Sequence, residues 1–71
     1  MTRMQRGIDR RLQLLEALAA FIDENSYSPT ERELAGMVGM SRSGARYQIG
    51  ILRRQGRITG GPGHRTMRLE R

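Results

Sequence analysis

The chain has 71 residues, enough for one domain with a thin core, because a chain this short buries only about 60% of the surface its unfolded form exposes. Thirteen basic residues, all arginine, oppose seven acids for a formal charge of +6; the balance suits nucleic acid, and also a ribosomal or membrane-surface role or a merely solvated basic face. Cysteine is absent and His64 is the lone histidine, which excludes disulfides, thiolate zinc sites and a histidine metal cluster, and no apolar run approaches the roughly 20 residues of a membrane span.

The first eight residues, MTRMQRGI, are polar and basic around a glycine. They read as a flexible arm. With charge but no apolar stretch, they do not form a secretion signal, so the expected location is cytoplasmic. Asp9 is placed to cap a helix beginning near Arg10. Leu12, Leu15, Leu18, Ala19 and Ile22 then recur at spacings of three and four, and Leu14 and Phe21 widen that apolar face. The width leaves room for contact on two sides, one with the core and one with a second copy of the chain. This helix is expected to end around Asn25.

Pro29 holds Ser28 extended, so Tyr27 to Pro29 reads as a connector or a one-rung strand. Thr30-Glu31-Arg32-Glu33 is a capping box that opens a second, short helix, with Leu34, Met37 and Val38 as its expected buried side. Gly39 can adopt the left-handed conformation that ends it. Met40, apolar inside a turn, requires that the turn pack on a core. Ser41 caps a third helix expected over about 42–55, with Ala45, Ile49 and Leu52 inward and Arg42, Ser43, Arg46 and Tyr47 outward. Gly56 stops it. Arg57-Ile58-Thr59 alternates as a strand, Gly60 to Gly63 reads as a hairpin tip, and Thr66 to Leu69 returns with Met67 and Leu69 on one face.

The order helix, helix, turn, helix, two-stranded hairpin is that of a mainly α, winged helix-turn-helix domain over 9–69, with the recognition helix near 42–55 and the wing near 57–69. Ala35 supplies the small residue where two helices cross, and Gly39 the residue tolerant of positive φ. Leu34, Val38, Met40, Ala45 and Ile49 lock the unit to the core. The stretch ERELAGMVGMSRSGARYQIGILRRQGRI resembles the core of winged-helix transcriptional regulators. Together with NSYSPTERELAGMVGM it resembles the N-terminal DNA-binding domain of the LexA-type repressors. The resemblance implies a sequence-specific double-stranded DNA-binding regulator, a repressor, with the third helix in the major groove. Those repressors also carry a self-cleaving domain with a Ser and Lys pair. This sequence contains no lysine, so autoproteolysis does not carry over, and the chain is either stand-alone or part of a longer parent. Gly44 and Gly50 also depart from a strong helix pattern, each costing about 1 kcal/mol relative to alanine.

The candidate DNA-binding residues are Ser41, Arg42, Ser43, Arg46, Tyr47, Arg54, Arg57, His64 and Arg65. Arg42 and Arg46 lie four apart on one face, and either can grip guanine O6 and N7 or a phosphate. Ser41 caps and offers its amide to phosphate; Ser43 can touch base or phosphate. Tyr47 can meet a thymine methyl or a phosphate, or pack on the wing. Gln48 points sideways and is set aside. Arg54 and Arg57 can reach flanking phosphate or simply suit the helix dipole. Gly63-His64-Arg65 would present a cation on a glycine stalk to a narrow minor groove. Arg3, Arg6, Arg10 and Arg11 can track the DNA backbone or remain solvated.

The sequence offers no nucleophile-base pair, phosphate loop or cofactor cradle, so it reads as neither an enzyme nor a cofactor or metal protein. Two other readings stay open. One is an excisionase-like architectural DNA-binding factor of a mobile element, bending DNA at tandem sites. The other is a winged helix whose recognition face docks a protein partner. An RNA role is disfavoured because Phe21, Tyr27 and Tyr47 form no stacking platform.

Overall fold

The computed structural model describes residues 2–60 and 65–70. Three helices precede a two-stranded antiparallel hairpin: α1 (Arg3–Asn25), α2 (Glu31–Met37), α3 (Arg42–Arg54), β1 (Ile58–Thr59) and β2 (Arg68–Leu69). Ile58 pairs with Leu69 and Thr59 with Arg68. This is the winged helix-turn-helix order.

α1 starts earlier than the sequence reading has it. Thr2, not Asp9, is the cap: its hydroxyl accepts from the Gln5 N–H at 3.1 Å, and Gln5 Oε1 accepts from the Thr2 N–H at 3.0 Å. This reciprocal box satisfies two orphan donors at once, so residues 3–8 join the helix rather than forming an arm, and Asp9 lies exposed within it. The apolar face is also rotated. Leu14 and Leu18 are its fully buried members, Leu15, Ala17 and Ile22 pack partly against the core, and Leu12 is 51% exposed with Ile8 and Met4 on the same exposed edge. The stripe is wider than the small core can cover, and α2, α3 and the hairpin close on the Leu14/Leu18 side. Ser26 ends α1 in the left-handed conformation at φ 64°. The segment from Tyr27 to Pro29 is a connector, with Ser28 and Pro29 buried.

Thr30 caps α2 as its sequence requires, with Glu33 completing the box. Leu34 and Ala35 are buried, Val38 is half-buried, and Met37 is exposed at 47%, contrary to the expected inward set. With only seven residues, α2 turns just one edge inward, and Ala35 rather than Met37 occupies it, where its small side chain lets α2 and α3 approach. The turn that follows is a Schellman motif: the Met40 N–H donates to the Ala35 carbonyl at 2.9 Å and the Gly39 N–H to Gly36 at 3.3 Å. Gly39 has φ 68° there, and Met40 packs against the core as the turn demands.

Ala45, Ile49 and Leu52 of α3 are fully buried and join Leu14, Leu18, Leu34, Ala35, Ile58 and Met67 in one core. α3 ends in a second Schellman motif, with Arg57 donating to Leu52 at 2.9 Å and Gly56 to Arg53 at 3.0 Å. The chain thereby reverses into β1, whose Ile58 seals the core beside Met67. Gly60 begins the hairpin loop at φ 100°, and a Cβ there would lie 1.9 Å from the Thr66 carbonyl oxygen, so only glycine fits.

Candidate nucleic-acid interface

The start of α3 builds the most distinctive surface. Ser41, the cap, accepts from the Gly44 N–H at 3.0 Å, which leaves the amides ahead of Gly44 facing outward at the positive end of the helix dipole. Gly44 has a local reason to be glycine. A Cβ at this position would stand 3.0 Å from Ser41 Oγ and 3.7 Å from Met40 Cε, so the close approach is to the cap hydroxyl and the turn.

Arg42, Ser43 and Arg46 surround one small cleft of about 110 Å³. The sequence spacing of four is thus realised as a shared surface of two guanidinium groups and a hydroxyl. Tyr47 stands next to them, 65% exposed, as expected of an outward position. Gln48 does turn sideways: its Oε1 accepts from Arg11 Nη1 at 2.8 Å, tying α3 to α1.

Two carboxylates at the start of α2 meet arginines, and one of them borders this basic surface. Glu31 lies 3.6 Å from Arg46 Nε and 3.8 Å from Arg53 Nη2. Arg46 remains 73% exposed, so the loose pair leaves it free to exchange Glu31 for an anion at little cost. Arg53 also donates through Nε to the Gly60 carbonyl at 3.1 Å, which ties α3 to the base of the hairpin loop. Glu33 forms a tighter, two-pronged pair with Arg65, at 2.9 Å for Nη1–Oε1 and 3.3 Å for Nη2–Oε2. The Glu33 carboxyl is held below its ordinary value, chiefly by the Thr30 N–H that donates to it and further by the Arg65 guanidinium.

The remaining candidates separate in space. Arg54 is exposed at the end of α3. Arg57 borders two grooves against α1, one with Ile8, Arg11, Leu12 and Gln55 and one with Leu15, Glu16, Ala19, Leu69 and Glu70, and lines no part of the Arg42–Arg46 cleft. His64 lies outside the described residues. Arg65 is not displayed on a stalk; it folds back to Glu33, donates to the Ser28 carbonyl at 3.2 Å and lies 4.7 Å over the Tyr27 ring. Composition and periodicity do not single out Glu31 as the partner of Arg46 and Arg53, or Glu33 as the partner of Arg65. Their dipole-compatible position accounted for them, and only the fold shows which arginines they meet.

No helix among the described residues is long and apolar enough to cross a membrane. Comparison with curated proteins gives no match. The model of the LexA DNA binding domain family matches residues 4–66.

Proposed function

Because this chain belongs to the LexA DNA binding domain family, we propose that it is a repressor of transcription that places α3 in the major groove of its operator, with the hairpin wing on the adjacent minor groove or backbone. DNA binding is the property the family carries. The observation that carries the finer reading is that Arg42, Ser43 and Arg46 line one shared outward cleft at the capped start of α3. Base edges lie within reach of such a surface when a helix enters the groove N-terminus first. Arg46 is the base-reading candidate, since its guanidinium is the more solvent-exposed partner of a loose pair. Ser41 and Tyr47 flank the cleft as phosphate or methyl contacts, and Arg54 supplies backbone attraction. Nothing in the reading requires chemistry by the protein itself, so its role is non-enzymatic.

The exposed edge of Met4, Ile8 and Leu12 supports a second copy on an inverted repeat, because one small module gives limited affinity. Selection from a randomised duplex library at near-physiological salt, followed by sequencing, tests the function. An enriched palindrome supports the operator-binding reading, and direct repeats favour an architectural role. Binding without enrichment that disappears at modest salt removes sequence-specific regulation. On the selected duplex, Arg46→Ala should relax sequence preference by roughly 1–3 kcal/mol of discrimination. Arg54→Ala should weaken all sequences alike and lower the salt slope by about one.

A further inference from the structure

We infer that Arg65 is a positioning residue that locks the wing to the first turn of α2, rather than a wing residue that contacts DNA. The inference deepens the proposed function and rests on it only for the meaning of the wing, since the lock itself belongs to the free protein.

The cage around Arg65 is built from three elements. Glu33 of α2 takes the guanidinium with both oxygens, at 2.9 and 3.3 Å. The Ser28 carbonyl, in the buried connector, accepts from Nη1 at 3.2 Å. Tyr27 offers its ring face at 4.7 Å, and that ring is itself braced edge-on by Phe21 of α1 at 5.5 Å. A planar fork matches a carboxylate two-pronged and stacks on an aromatic ring at the same time, which lysine cannot do. The backbone of Arg65 is held at φ 56°, a left-handed value uncommon outside glycine, so the residue is constrained from both its side chain and its main chain.

The loop that Arg65 closes is tied at its other end too. Gly60, where the loop begins, is gripped through its carbonyl by Arg53 Nε at 3.1 Å, and Arg53 in turn faces Glu31. Both ends of the hairpin loop are therefore referred to the same turn of α2, through Glu31 on one side and Glu33 on the other. The Thr30 capping box orients that turn, because Glu33 Oε1 accepts from the Thr30 N–H at 2.8 Å. The height of the wing above the α3 surface thus follows from how α2 starts. A guanidinium already engaged by a carboxylate, a carbonyl and a ring has little left to give a phosphate unless the cage opens.

NMR of the whole chain tests this, reading the ring-current shift that Tyr27 imposes on the Arg65 δ-methylene protons. In the free protein, Glu33→Gln keeps the Thr30 cap, since glutamine also accepts there, but removes the charge. It should reduce the Arg65 shift and move the Gly60 and Thr66 amide signals toward their open-form positions, with the open form rising about two- to fivefold, the range for a partly exposed ion pair. Tyr27→Leu, which changes no charge, should move the same amides. An Arg65 shift unaffected by Glu33→Gln overturns the lock. The wild-type protein is then titrated with the selected duplex, or with random-sequence duplex at low salt. Retention of the Arg65 shift while the Arg46 side-chain signals move supports positioning. Loss of the shift on binding, with Arg65→Gln lowering the salt slope by about one, makes Arg65 a phosphate contact and overturns the inference. Arg46 signals that never respond to DNA count against the proposed function, and the lock is then decided by the free-protein comparison alone.

Discussion

Two glycines in one helix should respond unequally to the same substitution. Gly50 sits inside α3 with open space around the position a Cβ would take, whereas at Gly44 that atom would stand 3.0 Å from Ser41 Oγ. Alanine in a helix is favoured over glycine by about 0.5–1 kcal/mol, so Gly50→Ala should gain that amount in full. In a domain of this size the gain corresponds to a rise in Tm of about 2–8 °C. At Gly44 the same gain is opposed. The new methyl pushes on the hydroxyl that accepts from the Gly44 N–H at 3.0 Å, and losing such a cap costs about 1 kcal/mol. Gly44→Ala should therefore leave Tm nearly unchanged or slightly lower. The cap can be taken out of the comparison. In a Ser41→Ala background the obstruction is gone, and Gly44→Ala should recover a gain of about 0.5–1 kcal/mol over Ser41→Ala alone. Thermal unfolding followed by circular dichroism at 222 nm measures the parent chain and the four variants. Equal gains from Gly44→Ala and Gly50→Ala in the parent chain would refute the reasoning, and so would a Gly44→Ala effect indifferent to Ser41.

Ser26 holds φ 64° at the end of α1, a conformation that costs a non-glycine residue roughly 1–2 kcal/mol. Ser26→Gly should relieve it and, after the added freedom of the unfolded chain, stabilise by about 0.5–1 kcal/mol in urea unfolding; destabilisation would show that the serine contributes more than its conformation costs. Glu33 has a folded pKa below its ordinary 4.5, so its contribution to stability is complete above the unfolded value and is lost as pH falls through the lower folded value. A carbon-13 titration of the Glu33 carboxyl should show a midpoint below 4.5 that moves upward in Arg65→Gln, and an unmoved midpoint would separate the two residues.

Much of the fold was legible because local chemistry and tertiary packing agree. Thr30 with Glu33 and Ser41 before Gly44 announce two helix starts, Gly39 and Gly56 announce two helix ends, and the three- and four-residue spacing of Ala45, Ile49 and Leu52 names the buried face of α3. These signals act within a few residues, so a linear reading captures them. The start of α1 was misplaced for the same kind of reason: Asp9 and Thr2 are both competent caps, and the Thr2–Gln5 box satisfies the earlier end. The family resemblance was likewise carried by consecutive residues, and the match over residues 4–66 bears it out.

Other features were decided only by the tertiary structure. The apolar residues of α1 and α2 outnumber the places a small core provides, so which are buried depends on how neighbouring elements close over them; Leu14 and Ala35 are covered, while Leu12 and Met37 stay in solvent. Arginine identity is equally silent about partners. Thirteen identical side chains announce an anion-seeking surface, but Arg42 and Arg46 share an open cleft, Arg11 binds Gln48 across 37 positions, and Arg65 reaches Glu33 across 32. Long flexible side chains meet whatever the fold brings within a few ångströms, and those meetings join residues far apart in sequence. The sequence by itself therefore determined that the protein is a basic winged helix; the packing of α2 against α3 and the hairpin decided which of its arginines line an open surface and which are engaged by carboxylates and carbonyls.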